Sequence, residues 1–526
     1  MRIAALDLGS NSFHLLVADA HPDGTFEPLT RDKEMLRLGG LVAATGEVGE
    51  AAAEDAVDVV RRFRALADSL GADEIVACGT SALREARDSA ALVDRIEAAS
   101  GVKVRVISGR EEARLIFTAV RTSVMIDPGP ALAIDLGGGS LELMVGGAGG
   151  LDWSASLKLG VGRLTAERVR GDPPTGGDRR RVVDAVVAGL QGVLPEINSL
   201  RPRMAIGSSG TLETLIRLAA GRRGGPAPST VNQVAVTAAE LGSLTSDLLE
   251  MTAAERSDLP GVDARRADLL PAGALLICTV LEMTRLDELV GSDWALREGM
   301  VLDAIGRHSQ AEWSHDPRAI RRDSVIGLAR RCSWSEAHSV KVARLAVELF
   351  DGTTSLHHLD GDDRDLLELG ALLHDIGEHV SMEGHERHTA YLIENGRLRG
   401  FRPEEISMLA CMGRFHKRGS PKMSFEPFAR LTPRERERVI RLTAILQVAD
   451  GLDRSHGGPV RAVEVYTSPG MVEIVVDADD DIDLELWGLR RKRELFERVF
   501  RCRLEVVSAQ MQLALEAGAA QAASGA

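Results

Sequence analysis

Residues 133–145 read AIDLGGGSLELMV, and residues 5–17 read ALDLGSNSFHLLV. The two stretches align Asp7 with Asp135, Gly9 with Gly137 and Ser12 with Ser140. Each is an apolar run ending in Asp, a turn of small residues, and a second run alternating in the strand period. The pattern predicts two β-hairpins whose tips carry almost no side-chain bulk. Glycine at such a tip frees the backbone for positive φ and lets amide N–H groups converge on one anion. A duplication of this kind implies two related halves, each offering one phosphate-binding turn to a shared cleft.

Outward from these turns, the chain has 526 residues, 44% hydrophobic, more than one core accommodates. Strand-like segments (3–8, 12–19, 74–78, 102–107) alternate with helical ones (50–70, 88–99, 109–121), marking residues 1–124 as an α/β domain. Pro128-Gly129-Pro130 punctuates the passage into a second α/β domain, 125–307, with a loop at 221–230. Helical periodicity dominates 308–456 and predicts an all-α domain. Residues 457–526 return to strands (461–467, 471–477, 503–507) around a helix at 488–500, a small α+β region whose AGAAQAASGA end is expected to fray.

The net charge of −15 argues against sequence-independent binding of DNA, while leaving room for a locally basic cleft. Cys78, Cys278, Cys332, Cys411 and Cys502 show no C-x-x-C spacing and read as reduced thiols. The first apolar run ends at Asp7, and no stretch reaches the length of a membrane span. The expected location is the cytoplasm, with no membrane partner.

Ser140, Glu142 and Met144 share one face of the strand leaving the second turn, so Ser140 and Glu142 are expected beside the amides of Gly137, Gly138 and Gly139. A glutamate aimed at phosphate is repelled unless it holds a metal or orients water. In the first hairpin Asn11 and Ser12 offer neutral donors, and His14 takes the place of Glu142. In 104-VRVISGREEARLIF-117, Ser108 has an N-cap position with Glu111 three residues on, a capping box. Glu112 is left over just after a strand end, where α/β enzymes place active residues, and is a candidate general base. Arg84, in 79-GTSALREA, suits bidentate clamping of phosphate oxygens. Ser208, Ser209, Gly210 and Thr211 form a third small-residue turn ahead of a helix, suited to phosphate or nucleotide contact.

The ordered motifs ALDLGSNSFHLL, GTSALREA, ISGREEARLIF, AIDLGGGSLELM, SLKLGVGRLT, GSSGT and ALREGM resemble the Ppx/GppA phosphatases. These are exopolyphosphatases and guanosine pentaphosphate phosphohydrolases within the superfamily of actin-like ATPases and sugar kinases. The resemblance covers residues 1–307 and extends less sharply into the helical region through 371-ALLHDIGEHVSMEGHERHTAYLI and 413-GRFHKR. It implies two actin-like (ribonuclease H-like) α/β domains around a cleft, then an all-α HD-like domain and the α+β tail. It implies that Glu112 activates water and that Glu142 positions water or Mg²⁺. By the same resemblance Asp135, Gly137–Gly139 and Ser140 hold the terminal phosphate, faced by Asn11 and Arg84. Ser12, Ser209, Gly210 and Thr211 complete the expected substrate contacts. The expected substrate is inorganic polyphosphate, with guanosine pentaphosphate the close alternative; an ATPase or kinase and a non-catalytic nucleotide-binding module are the other classes. A homodimer is implied.

His338, the pair His374-Asp375 and Asp450 occur in the order H…HD…D, within helical segments 336–350, 365–378 and 434–450. Imidazoles and carboxylates on neighbouring helices suit a transition metal such as Mn²⁺, Fe²⁺ or Zn²⁺ and resemble the HD phosphohydrolases. His385, His388 and His416 are further candidate ligands. The basic stretches 414-RFHKRGSPK-422 and 490-RRKR-493 would hold polyphosphate if they lined a groove, and are solvated faces otherwise.

Overall fold

The first copy of the repeated phrase folds as β1 (Arg2–Leu8) and antiparallel β2 (Ser12–Ala20), with Asp7 opposite His14. β3 (Phe26–Met35) pairs with β2, while β4 (Glu74–Gly79) and β5 (Val104–Val106) add in parallel beyond β1, giving the order β3-β2-β1-β4-β5. The second copy folds as β6 (Ala131–Leu136) and antiparallel β7 (Leu141–Gly147), with Asp135 opposite Glu142. Its sheet is completed by β8 (Gly150–Leu157), β9 (Met204–Ser208), β10 (Ala235–Thr237) and β11 (Glu288–Gly291), in the order β10-β11-β9-β6-β7-β8. Without the edge strand β10, this sheet repeats the strand order and pairing directions of the first. The duplication is one of topology as well as sequence. His14 and Glu142 occupy the same register, as the alignment expects.

The structure is a computed structural model that describes residues 1–21, 24–224, 228, 230–308, 316–478 and 482–508. The AGAAQAASGA end and part of the 221–230 loop lie outside the described residues. Two compact units form, Met1–Ile320 and Arg321–Ala526. In the first, helices Glu50–Ser69 and Ser89–Ser100 pack apolar residues such as Phe63 and Ile96 against Leu6 and Phe13 of the first sheet. Helix Gly109–Ser123 lies against helix Leu296–His308 and β8, and its Phe117 joins a core containing Ile3 of one sheet and Ile206 of the other. Met144 is buried in that same core, so the expected face is shared by Ser140 and Glu142 with an apolar anchor.

In the second unit, helices Glu336–Gly352, Gly361–Leu373, His385–Asn395, Pro403–Phe415 and Pro433–Gly451 surround one apolar core. That core continues into a three-stranded sheet of β12 (Val460–Ser468), β13 (Met471–Ala478) and β14 (Arg503–Ser508), flanked by helix Asp483–Phe500. No helix among the described residues is long and apolar enough to cross a membrane.

Candidate active site

The C-terminal ends of β1 and β6 open on a cleft of about 510 Å³, where open α/β sheets gather their ligands. Asn11, Ser12, Gly137, Gly138, Gly139, Ser140, Ser209 and Gly210 all line it. The two repeated turns meet there. A Cβ on Gly138 would stand 2.6 Å from Asn11 Cγ, and one on Gly139 would stand 2.6 Å from Ser81 Oγ. A Cβ on Gly160 would collide with the backbone of Gly139. Gly9, Gly137, Gly138 and Gly139 are absent from the positive-φ glycines, which corrects the expectation of left-handed tips. Gly138 and Gly139 are small because other segments crowd them, and Gly9 and Gly137 face the carbonyl oxygens of Ser12 and Ser140 in their own turns.

The segment after β8 orients the second turn. Val161 N–H donates to Gly137 O at 2.9 Å, Arg163 N–H to Gly138 O at 3.1 Å and Gly160 N–H to Gly139 O at 3.2 Å. The N–H and C=O of a trans peptide point apart, so the amides of Gly138, Gly139 and Ser140 aim away from residues 160–163. Arg163 adds a second hold on Gly139 O and is itself fixed by Glu85 at 2.8 Å.

Three carboxylates, Asp7, Glu112 and Asp135, crowd the floor, with Glu142 behind them. Glu112 is buried, accepts from Arg84 Nη1 at 2.9 Å, and has its pKa pushed up to about 7 by burial, against the pull of Arg84. Arg84 also donates to Ile107 O at 2.8 Å, so its guanidinium is anchored to the putting-down point of Glu112's helix and does not line the cleft itself. Asp135 accepts from Ser208 Oγ at 2.6 Å and is raised by burial. Asp7 is raised to about 7, first by burial and then by Glu112 and Asp135. Glu142 sits behind the cleft lining, accepts from Ser156 Oγ at 2.7 Å, and is raised by burial and by Glu112 and Asp135. Asp7 Oδ1 and Glu142 Oε2 are buried with no hydrogen-bond partner among the described residues. Thr211 is buried in the helix Gly210–Gly221 and does not reach the lining.

Sequence reading missed the cations. Arg31 and Lys33 on β3, with Arg266 and Arg297, line the same cleft. Arg297 Nη1 lies 3.2 Å from His14 Nδ1, and burial followed by Arg297 holds His14 well below its ordinary pKa. The ALREGM motif contains Arg297, so the signal was present. Arg31 and Lys33 fall in FEPLTRDKEM, whose charges hide a strand that the alternation rule passes over.

Residues 16–308 match the Ppx/GppA phosphatase family, and residues 320–485 match domain III of the Ppx/GppA phosphatases. The chain belongs to the Ppx/GppA phosphatase family. It is 36% identical over 311 residues to Exopolyphosphatase 1 of Mycobacterium tuberculosis, covering 57% of this chain and 88% of that protein. It is 28% identical over 449 residues to a guanosine-5'-triphosphate,3'-diphosphate pyrophosphatase of Aeromonas hydrophila, covering 85% and 86%. The crystal structure of an exopolyphosphatase from Cytophaga hutchinsonii aligns at TM-score 0.56 and 29% identity, over 59% of this chain and 99% of that one. The Ppx/GppA chain is thus a phosphoanhydride hydrolase with two actin-like domains.

In domain III of this Ppx/GppA phosphatase, His338, His374, Asp375 and Asp450 converge, as their order suggests. His338, His374 and Asp450 offer ligand atoms within 4.8 Å of one another, and so do Asp375, His385 and His416. His388 belongs to neither group. His456 joins His338 and Asp375 in a third, and Asp453 takes His338 Nδ1–H at 2.7 Å; sequence reading missed both. Of the basic stretches, Lys492 contacts Asp450 and Arg414 packs over Phe415.

Proposed function

We propose that this phosphatase is an exopolyphosphatase, removing terminal phosphate from inorganic polyphosphate with water activated by Glu112. The observation that carries the reading is Glu112 itself, a buried carboxylate beside the glycine turns whose pKa lies near 7. A base of that strength is well matched to neutral pH. In the proposed step the water oxygen bonds to the terminal phosphorus, the bridging P–O bond breaks, and Glu112 takes the water proton. Arg84 keeps the Glu112 carboxylate in place. The amides of Gly138, Gly139 and Ser140, with Asn11 and Ser12 opposite and Ser209 and Gly210 beside, would hold the terminal phosphate. Arg31, Lys33, Arg266 and Arg297 would hold the phosphates behind it.

The residues present fit Mg²⁺. Asp7 Oδ1 and Glu142 Oε2 are orphaned buried oxygens, and hard oxygen ligands suit this ion. Asp7 and Asp135 in the cleft lining would hold it through one carboxylate each, together with water and phosphate oxygens, and Glu142 behind them would order a water of that shell. The ion when bound supplies positive charge against the phosphate oxygens. Phosphoryl transfer draws mainly on such positioning and neutralisation.

The match to the Aeromonas pyrophosphatase over most of the chain favours guanosine pentaphosphate as the second reading. A competition assay with both substrates separates the two. Polyphosphate is expected to give the higher kcat/KM and to suppress phosphate release from the nucleotide. A higher kcat/KM for guanosine pentaphosphate would sink the polyphosphate reading.

A further inference from the structure

The domain III histidines are held in one particular tautomer. His338 Nδ1 faces Asp453 Oδ2 at 2.7 Å, His374 Nδ1 faces Ala371 O at 2.7 Å, His385 Nδ1 faces Met382 O at 3.1 Å and His416 Nδ1 faces Gly413 O at 2.8 Å. A carbonyl or carboxylate oxygen only accepts, so each Nδ1 carries the proton and each neutral ring presents its Nε2 lone pair. Metal-bound histidines are oriented in this way by an oxygen on the other nitrogen. The four Nε2 atoms converge as two facing pairs, His338 with His374 and His385 with His416, each at 3.2 Å. Two lone pairs at that range repel unless a cation or a proton lies between them.

Asp375 stands between the pairs with one oxygen for each. Its Oδ2 is 3.6 Å from His338 Nε2 and 3.3 Å from His374 Nε2; its Oδ1 is 3.2 Å from His385 Nε2 and 3.0 Å from His416 Nε2. Oδ1 is nevertheless a buried atom with no hydrogen bond, despite two imidazoles within reach. Ligands about 2.1 Å from one metal, at octahedral or tetrahedral angles, are about 3.0–3.4 Å apart. The spacings around each Asp375 oxygen fall in or near that interval.

We propose that domain III holds two divalent transition-metal ions bridged by Asp375, with a phosphate oxyanion as their exchangeable ligand. One ion takes His338, His374, Asp450 and Asp375 Oδ2. The other takes His385, His416 and Asp375 Oδ1, which leaves it open positions of the kind found at catalytic sites. Two cations sharing one carboxylate lie about 3.5–4 Å apart and grip a phosphoryl group from two sides. Lys492, in contact with Asp450, places a further positive charge at this site. The proposal stands independently of the cleft in Met1–Ile320.

The test uses the full chain, stripped with chelator, reloaded with Mn²⁺ and dialysed. Metal analysis is expected to find about two more equivalents in the wild type than in Asp375→Asn. Low-temperature electron paramagnetic resonance is expected to show a spin-coupled pair that changes when inorganic phosphate is added. His385→Ala/His416→Ala is expected to lose one equivalent and the coupling, leaving an isolated-ion signal. Should that variant misfold by circular dichroism, the wild-type stoichiometry and coupling decide alone. An uncoupled wild-type signal, or no metal beyond Asp375→Asn, overturns the two-metal site and leaves protons between the rings. A coupled signal indifferent to phosphate overturns the assigned ligand class.

Discussion

Glu111 and Glu112 are adjacent and chemically identical, yet their surroundings assign them different work. The Ser108 hydroxyl accepts from Glu111 N–H at 3.2 Å, but the Glu111 carboxylate turns to Arg105 and does not complete the expected capping box. Glu111→Gln removes one partly exposed ion pair and is expected to cost under about 1 kcal/mol, whereas Ser108→Ala loses a cap at about 1 kcal/mol. Denaturant titration of both variants checks this order. Glu112→Gln is expected to cut kcat at least ~100-fold with polyphosphate binding retained, the scale of a lost general base. Because the Glu112 pKa is raised to about 7, kcat in the parent should fall as pH drops through that value and the base takes up a proton. That acid limb should be missing from Glu112→Gln; its persistence would assign the base elsewhere.

Asp7 carries a stability prediction with a definite sign. Its folded pKa of about 7 exceeds the ordinary 3.8, so between these values the folded chain holds a proton that the unfolded chain releases. Stability from this group is therefore greatest below about pH 4 and falls as pH rises towards 7. Without divalent metal, Asp7→Asn should lose less stability than the parent between pH 5 and pH 8. Thermal denaturation at the two pH values measures the difference.

At the scale of the element, the phosphate turn is built by three segments that crowd one another. Gly138 faces the movable end of Asn11, and Gly160 faces the rigid backbone of Gly139. A methyl group at 138 can be relieved by a side-chain rotation, and one at 160 only by moving the turn. Gly160→Ala is expected to lower kcat at least ~10-fold more than Gly138→Ala, in assays at saturating polyphosphate. Equal losses would mean that the turn tolerates displacement. β3 shows the opposite kind of tertiary demand. It is an edge strand whose Arg31 and Lys33 line the cleft, and the charges it carries obscure its strand pattern.

For the whole molecule, a net charge of −15 coexists with a cluster of four cations, Arg31, Lys33, Arg266 and Arg297, on a cleft that carries carboxylates as well. Local potential, not net charge, draws a polyanion into a concave site. The value of kcat/KM for polyphosphate should therefore fall as ionic strength rises, even though the protein is acidic overall. Lys33→Ala should flatten that dependence and raise KM while sparing kcat. A salt dependence unchanged by Lys33→Ala would place polyphosphate elsewhere.

The sequence by itself determined the duplicated hairpins and the strand–helix alternation and marked out Glu112 and the glycine turns, because each is written in local spacing; Asp135 entered only through the family resemblance. The H…HD…D order likewise marks out His338, His374, Asp375 and Asp450. Only the tertiary structure decided why the turn glycines must be small, since Asn11, Ser81 and Gly160 reach them from distant segments. It alone joined Arg31, Lys33, Arg266 and Arg297 in one wall, and sent the Glu111 carboxylate to Arg105. It alone set His385 and His416 against the second oxygen of Asp375. Local pattern reports what a segment can form; burial, close approach and charge fields depend on which segments meet.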